Sequence, residues 1–268
     1  MKEIIKILQR DINASMEKGN VPGIAISLID KDRILWTKGF GFTDRSKSRK
    51  VDPDTIFCIG STTKPITAVA FLRAVQKGIV NLDDLLISCY PEFTINSTYG
   101  DDEVNKITFR HLLSHYAGLP HMSLESREFY VNEPTFEDNI KNISDTWLVF
   151  KVENRFYYSN LGFNLIAYSL QRISNKSYPE YVRDEIVKPL KMESMVYGKK
   201  KAQMNQNCAV GYLGLHEALF TDIITYGSTG VYVSVRDLSN FVMFQLNNGV
   251  FNKNQILDKE LLDEMRKI

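Results

Sequence analysis

The chain has few cysteines, no long apolar run and almost no excess of charge. Its three cysteines, Cys58, Cys89 and Cys208, are an odd number and lack the spacing of metal ligands. The N-terminal segment also lacks the apolar core and cleavage site of a signal peptide. A disulfide framework is therefore not expected, and a reducing cytoplasm is the predicted location. Because no stretch of about 18 apolar residues occurs, no transmembrane helix is predicted.

Charge of one sign does not accumulate along the chain. Lys and Arg total 33 against 32 Asp and Glu, which gives a formal net charge of +1. The lysine run at 199–201 is interpreted as a solvated loop. This balance predicts neither a nucleic-acid partner nor attachment to an anionic membrane surface. A hydrophobic content of 44% over 268 residues is sufficient for a sizeable buried core.

The order of the predicted elements indicates an α+β fold. An amphipathic helix ending at Gly19 precedes the segments GIAISLID and RILWTKGFGF, which are joined by DKDR and predict an antiparallel hairpin. Residues 61–77 are apolar on nearly every side, which is typical of a buried helix, and Gly78 ends it. Further helices are predicted at 108–116, 135–149, 161–173, 178–187 and 236–248, and short strands at 207–212 and 230–234. Strands followed mostly by helices favour a helical region packed against a sheet.

A serine followed three residues later by a lysine occurs twice, and only one of the two pairs has a setting suited to catalysis. Ser15 and Lys18 lie in the amphipathic first helix, where they are interpreted as solvated. Ser61 and Lys64 open the most apolar helix and project to the same side. A helix N-terminus and burial both make a lysine easier to deprotonate, so that it can take the serine proton. Ser61 as a simple helix cap, with Lys64 in water, remains the alternative.

A second polar group lies in NRFYYSNLGFNLIAYSL. Tyr158, Ser159 and Asn160 come just before an amphipathic helix. A tyrosine phenol can relay a proton when cations stabilise its phenolate, and an asparagine amide can hold a substrate carbonyl or a lysine head. The same Tyr-x-Asn letters at 130–132 lie among charged residues without a following helix, and we interpret them as a chance match.

Four blocks of the sequence resemble the class C β-lactamase-related serine hydrolases, which include penicillin-binding peptidases, D-amino-acid-specific peptidases and esterases. The blocks are IGSTTKPITAVAFLRAVQKGIVNLDD, ITFRHLLSHYAGLP, FYYSNLGFNLIAYSLQRISNKSYPEYVRDEIVKPLKM and YGSTGVYVSVRDLSNF. The resemblance implies that Ser61 is the acylated nucleophile, that Lys64 and Tyr158 serve as bases, and that Asn160 contacts substrate. Gly230, in the turn GSTG, is expected near the site as a substrate-binding residue. The resemblance also implies a β-lactamase/transpeptidase-like fold, a helical region packed on a mixed antiparallel sheet region. One domain is expected over 1–268, with the hairpin at 23–43 in the sheet region and 61–268 mostly in the helical region.

One motif of these hydrolases is missing. Its Lys-x-Gly or His-x-Gly tripeptide, on a strand bordering the site, occurs nowhere in the chain. The resemblance therefore implies a chain that is short at its C-terminus, with half of its oxyanion hole and several closing strands absent. Removing one oxyanion donor typically lowers the rate a hundredfold or more. The hairpin would also keep an unpaired edge, which predicts self-association through that edge.

The expected function is hydrolysis of a small acyl substrate, an ester, a D-peptide or a β-lactam, through an acyl-enzyme. No metal or organic cofactor is expected. His111 and His115, one helical turn apart, could ligate a metal, but no third ligand accompanies them at a recognisable spacing. The alternative function is a catalytically silent relative that binds an acyl ligand or acts as a scaffold through the same pocket. The intact Ser61, Lys64, Tyr158 and Asn160 favour the enzyme, and the missing motif favours the silent relative.

Overall fold

The structure is a computed structural model that describes residues 2–123, 135–218 and 225–267. Helix α1 (Lys2–Gly19) leads into the hairpin of β1 (Gly23–Ile29) and β2 (Ile34–Gly41). The two strands pair antiparallel, from Gly23 opposite Gly41 to Leu28 opposite Trp36. Within the described ranges the hairpin forms a two-stranded sheet. The predicted helix and hairpin are thus both observed.

A second, three-stranded sheet contains the strand that leads into the long apolar helix. Its strands are β3 (Ile56–Cys58), β4 (Val196–Tyr197) and β7 (Val231–Ser234), in the order β3-β7-β4, and both pairings are antiparallel. Two short hairpins complete the strands: β5 (Tyr212–Leu213) with β6 (His216–Glu217), and β8 (Val250–Phe251) with β9 (Asn254–Gln255).

Helices provide most of the core. Two long helices lie at its centre: α2 (Thr63–Gln76) has few exposed side chains, and α6 (Asn160–Ser174) packs against it. The other α-helices in the described ranges are α3 (Leu86–Cys89), α4 (Phe109–Ser114), α5 (Phe136–Lys141), α7 (Tyr178–Val182), α8 (Lys188–Leu190), α9 (Lys199–Gln203), α10 (Val235–Leu246) and α11 (Lys259–Met265), and a 3-10 helix spans Asp101–Lys106. The largest fully buried side chains include Tyr178, Phe71, Phe109, Phe244, Ile56 and Ile66. None of the helices in the described ranges combines the length and the apolar character needed to cross a bilayer.

Three predicted elements differ from the observed ones. The helix predicted at 135–149 ends at Lys141, because hydroxyls bond to the carbonyls that a longer helix would use: Ser144 Oγ donates to Lys141 O and Thr146 Oγ1 to Ile143 O. The strand predicted at 207–212 is reduced to a single bridge between Cys208 and Ile56 before β5. The helix predicted at 178–187 continues through a π-helical turn (Arg183–Val187) into α8.

Candidate active site

Ser61 lies where β3 turns into the buried helix. A 3-10 turn (Gly60–Thr62) precedes α2, and Gly60 adopts a φ of 51°, in the left-handed region that favours glycine. The Ile59 N–H donates to Val231 O at 3.0 Å, which fixes the turn to β7. Ser61 itself is exposed. A hydroxyl at this point faces solvent while its backbone N–H belongs to the unsatisfied start of a helix.

Lys64 is buried, with 6% of its surface exposed, and its amine reaches three oxygen atoms. Nζ lies 2.7 Å from Asn160 Oδ1, 3.1 Å from Ser228 O and 3.3 Å from Ser61 Oγ. Burial lowers the pKa of Lys64, and interaction with the Tyr158 phenol opposes that shift in part. Pro65 follows directly, in the first turn of α2, where its missing N–H is tolerated.

Tyr158 lies over the same amine. Lys64 Nζ is 4.6 Å from the centroid of the Tyr158 ring. Burial alone would raise the pKa of Tyr158, but hydrogen bonds with Lys64 and Ser61, together with the lysine charge, bring this pKa below its ordinary value. The phenol is therefore electrostatically coupled to both members of the serine-lysine pair.

Asn160 is the first residue of α6, and the chain before it is firmly held. Ser159 caps the helix by accepting from Gly162 N at 3.2 Å, and its hydroxyl donates to Pro120 O at 2.7 Å. The Asn160 N–H donates to His121 O at 3.0 Å. These contacts fix the backbone from which the Asn160 amide reaches Lys64.

The 225–230 turn provides the third acceptor for Lys64. Thr67 Oγ1 donates to Gly227 O at 2.7 Å, and the Ser228 N–H donates to Asn164 Oδ1 at 3.2 Å. A Cβ at Gly227 would lie 1.9 Å from Phe163 O, so only glycine allows this close approach. Side chains from α2 and α6 thus place the Ser228 carbonyl against the lysine.

Four of the five predicted site residues, Ser61, Lys64, Tyr158 and Asn160, lie around one amine. The fifth, Gly230, is the last residue of the 225–230 turn and leads into β7. It has a φ of 86°, and its carbonyl oxygen accepts the Gly198 N–H at 2.9 Å.

The other candidates have different surroundings, apart from His115, whose ring packs on Tyr158. Ser15 and Lys18 are exposed on α1, and residues 130–132 lie outside the described ranges. His111 accepts from the Thr108 N–H through Nδ1, and its Nε2 lies 2.9 Å from Glu153 Oε1. In the parts of the chain that the structure describes, no three His, Cys, Asp or Glu residues are grouped as metal ligands would be.

Sequence reasoning missed the polar groups that support the site. Thr67 and Asn164 are buried one helical turn after Lys64 and Asn160, on otherwise apolar helices. That spacing of buried polar residues was the available signal. The Ser228 acceptor is a backbone carbonyl and has no side-chain signature at all.

Comparison with known proteins agrees with the fold. The family described as Beta-lactamase matches residues 8–267. The chain is 29% identical over 255 residues to Protein flp of Staphylococcus aureus strain MW2, a match that covers 92% of this chain and 49% of that protein. The chain thus spans about half the length of this relative.

Two solved structures share the architecture. The octameric penicillin-binding protein homologue from Pyrococcus abyssi superimposes with a TM-score of 0.82 at 27% identity, over 98% of this chain and 60% of that one. The beta-lactamase/D-alanine carboxypeptidase from Yersinia pestis, complexed with citrate, gives a TM-score of 0.68 at 26% identity, over 82% of this chain and 62% of that one. The predicted α+β, β-lactamase-like fold is confirmed.

Proposed function

The chain belongs to the beta-lactamase family, a family of serine hydrolases, and from that premise we propose that it hydrolyses a small acyl substrate through an acyl-enzyme at Ser61. The substrate carbonyl is that of an ester, an amide or a β-lactam. Ser61 Oγ bonds to this carbon as the bond from the carbon to the leaving oxygen or nitrogen breaks, and water then releases the acid and restores the free serine. In a β-lactam the leaving nitrogen stays joined to the acyl group.

The observation that carries the proposal is the set of acceptors around Lys64. A neutral lysine amine has two N–H donors and one lone pair. Asn160 Oδ1 and Ser228 O can only accept, so they take the two donors. The lone pair is left for a hydroxyl proton: Ser61 Oγ lies 3.3 Å away, and the Tyr158 phenol interacts with both groups. The surroundings of Lys64 therefore suit an amine that receives the serine proton.

The electrostatics also favour transfer of the Ser61 proton to Lys64. Burial lowers the Lys64 pKa, so a larger share of the enzyme carries the neutral amine at neutral pH. As Ser61 Oγ bonds to the carbonyl carbon, its proton passes to Lys64 Nζ. Tyr158, whose pKa is also lowered, relays a proton to the departing oxygen or nitrogen. We assign stabilisation of the developing oxyanion to the Ser61 N–H, in the turn that leads into α2.

Burst kinetics with an activated ester test the proposal. With p-nitrophenyl acetate, the wild type should release nitrophenol in a burst of about one equivalent, followed by slower turnover. Ser61→Ala should abolish the burst. Ser15→Ala, which removes the serine of the other Ser-x-x-Lys match, should leave it unchanged. Folded protein that gives no burst would instead support the silent binding relative.

A further inference from the structure

His115 bonds to the chain on both sides of Tyr158. It caps α4 with a left-handed backbone, φ 65° and ψ 31°, a conformation that is uncommon for non-glycine residues but that histidine adopts more often than most. Its carbonyl oxygen accepts the Tyr157 N–H at 2.8 Å, and its ring Nδ1 accepts the Ser159 N–H at 3.1 Å. One residue thus holds the two backbone amides that flank Tyr158.

The imidazole ring also packs on the Tyr158 side chain. The two ring centroids are 4.6 Å apart with an angle of 35° between the planes, and the Phe163 ring lies 5.2 Å from the imidazole on α6. Lys64 Nζ is close to the same two rings, at 4.6 Å from Tyr158 and 5.6 Å from Phe163. His115 therefore contacts both the ring of the residue that covers the lysine and the backbone on either side of it.

The hydrogen bond to His115 Nδ1 requires one protonation state of the imidazole ring. Nδ1 can accept the Ser159 N–H only without a proton, so the neutral ring carries its hydrogen on Nε2. The groups that face this ring disfavour a charged imidazole: Phe163 of α6 brings apolar surface, and Lys64 of α2 and His121 disfavour an added positive charge. Burial is the main cause that lowers the pKa of His115 to about 4, and the proximity of Lys64 and His121 adds to it. Glu153, the acidic residue that precedes Tyr157 in the chain, pairs with His111 instead.

We propose that neutral His115 is a positioning residue of this site: it touches no substrate, and it holds Tyr158 and Asn160 in register with Lys64. The inference rests on the proposed function for its kinetic consequence. Its structural content, the Nδ1 bond to the Ser159 amide, is independent of catalysis.

Three substitutions separate the roles of His115. His115→Gly keeps the left-handed backbone and removes the ring acceptor. His115→Asn keeps the backbone, since asparagine tolerates this conformation, and returns an acceptor oxygen close to the position of Nδ1. His216→Gln, in the exposed β6, is the matched control. Melting temperatures establish that each variant is folded.

The kinetic readout is the acylation rate constant with p-nitrophenyl acetate. His115→Gly should acylate about 10- to 100-fold more slowly with little change in KM, because a shift of about 1 Å in a proton-relay group has an effect of this size. His115→Asn should recover most of that loss, and His216→Gln should match the wild type. Wild-type acylation by His115→Gly, or a His115→Asn variant as slow as His115→Gly, would overturn the proposal.

NMR provides a readout that needs no turnover. In wild-type protein the His115 ring carbons, assigned by their loss in His115→Asn, should titrate near pH 4, and the Ser159 amide signal should move with them. The reverse result, a ring that titrates near 6.5 without any response at Ser159, would overturn the inference even in an active enzyme. The expected titration in a protein without a burst would support the positioning role while the proposed hydrolase fails.

Discussion

Lys64 Nζ lies 2.7 Å from Oδ1 of Asn160, although 96 residues separate the two in the chain. The contact joins the first turns of the two central helices at the point where Ser61 meets solvent. A neutral amide at this position accepts a hydrogen bond from the amine without adding a negative charge that would stabilise the ammonium. The central claim, that Lys64 works as a base, depends on this choice of side chain.

Asn160→Asp should raise the Lys64 pKa and move the pH dependence of acylation. A carboxylate in contact with an amine favours the charged form by one or more pKa units, so less neutral lysine is present at pH 7. We expect the pH midpoint of acylation to rise by about one to two units, with slower acylation at neutral pH. Asn13→Asp, on the exposed α1, is the control of equal charge. An unchanged midpoint in Asn160→Asp would argue that Lys64 is not the base.

Tyr158→Phe should separate proton relay from ring packing. The phenyl ring keeps its contact with His115, so the melting temperature should stay within about two degrees of the wild type. The lost hydroxyl should reduce the acylation rate by about 10²- to 10⁴-fold, the usual contribution of a general acid or base. Tyr116→Phe, an exposed tyrosine on the neighbouring segment, should have no effect. Retained activity in Tyr158→Phe would remove Tyr158 from the proton path.

The stability of the protein should depend on pH through His115. The folded-state pKa is about 4, against about 6.5 in the unfolded chain. Between these values the unfolded state binds more protons, so the free energy of unfolding falls as the pH is lowered from about 6.5 to about 4. Urea unfolding at pH 7.5 and 4.5 should show the wild type losing about 1–3 kcal/mol more than His115→Asn. Equal losses in both proteins would indicate that His115 is not held neutral.

Gly227→Ala should disturb the site through the backbone. Its Cβ would lie 1.9 Å from Phe163 O, so the 225–230 turn must move away from α6 and carry the Ser228 carbonyl with it. Overpacking of this kind lowers the free energy of unfolding by about 1–3 kcal/mol. Acylation should slow as well, because Lys64 loses an acceptor. Gly211→Ala is the control, since its Cβ would meet no atom closer than 4.0 Å. Wild-type stability in Gly227→Ala would contradict this packing.

The elements that could be predicted from the sequence are those that depend on residues close together in the chain. The apolar pattern after Ser61 and the amphipathic pattern after Asn160 both depend on neighbours within one or two helical turns, and α2 and α6 begin close to the predicted positions. The hairpin was predicted for the same reason, since its turn and its strands are contiguous.

The contacts that complete the site depend on distant parts of the chain. Ser228 reaches Lys64 across 164 residues through a carbonyl that every residue type carries, so no pattern of letters indicates it. The role of His115 depends on the amides on either side of Tyr158, which are equally uninformative in the sequence. The predicted extent of α5 was wrong because the hydroxyls of Ser144 and Thr146 donate hydrogen bonds to backbone carbonyls that a longer helix would use.

Intact-protein mass spectrometry after exposure to a fluorophosphonate or a penicillin tests the central claim most directly. We expect one adduct per chain, located on Ser61 by peptide mapping, absent in Ser61→Ala and formed far more slowly in Lys64→Ala. Folded wild-type protein that gains no adduct, or an adduct that forms equally fast without Lys64, would contradict the assignment of an activated serine-lysine pair.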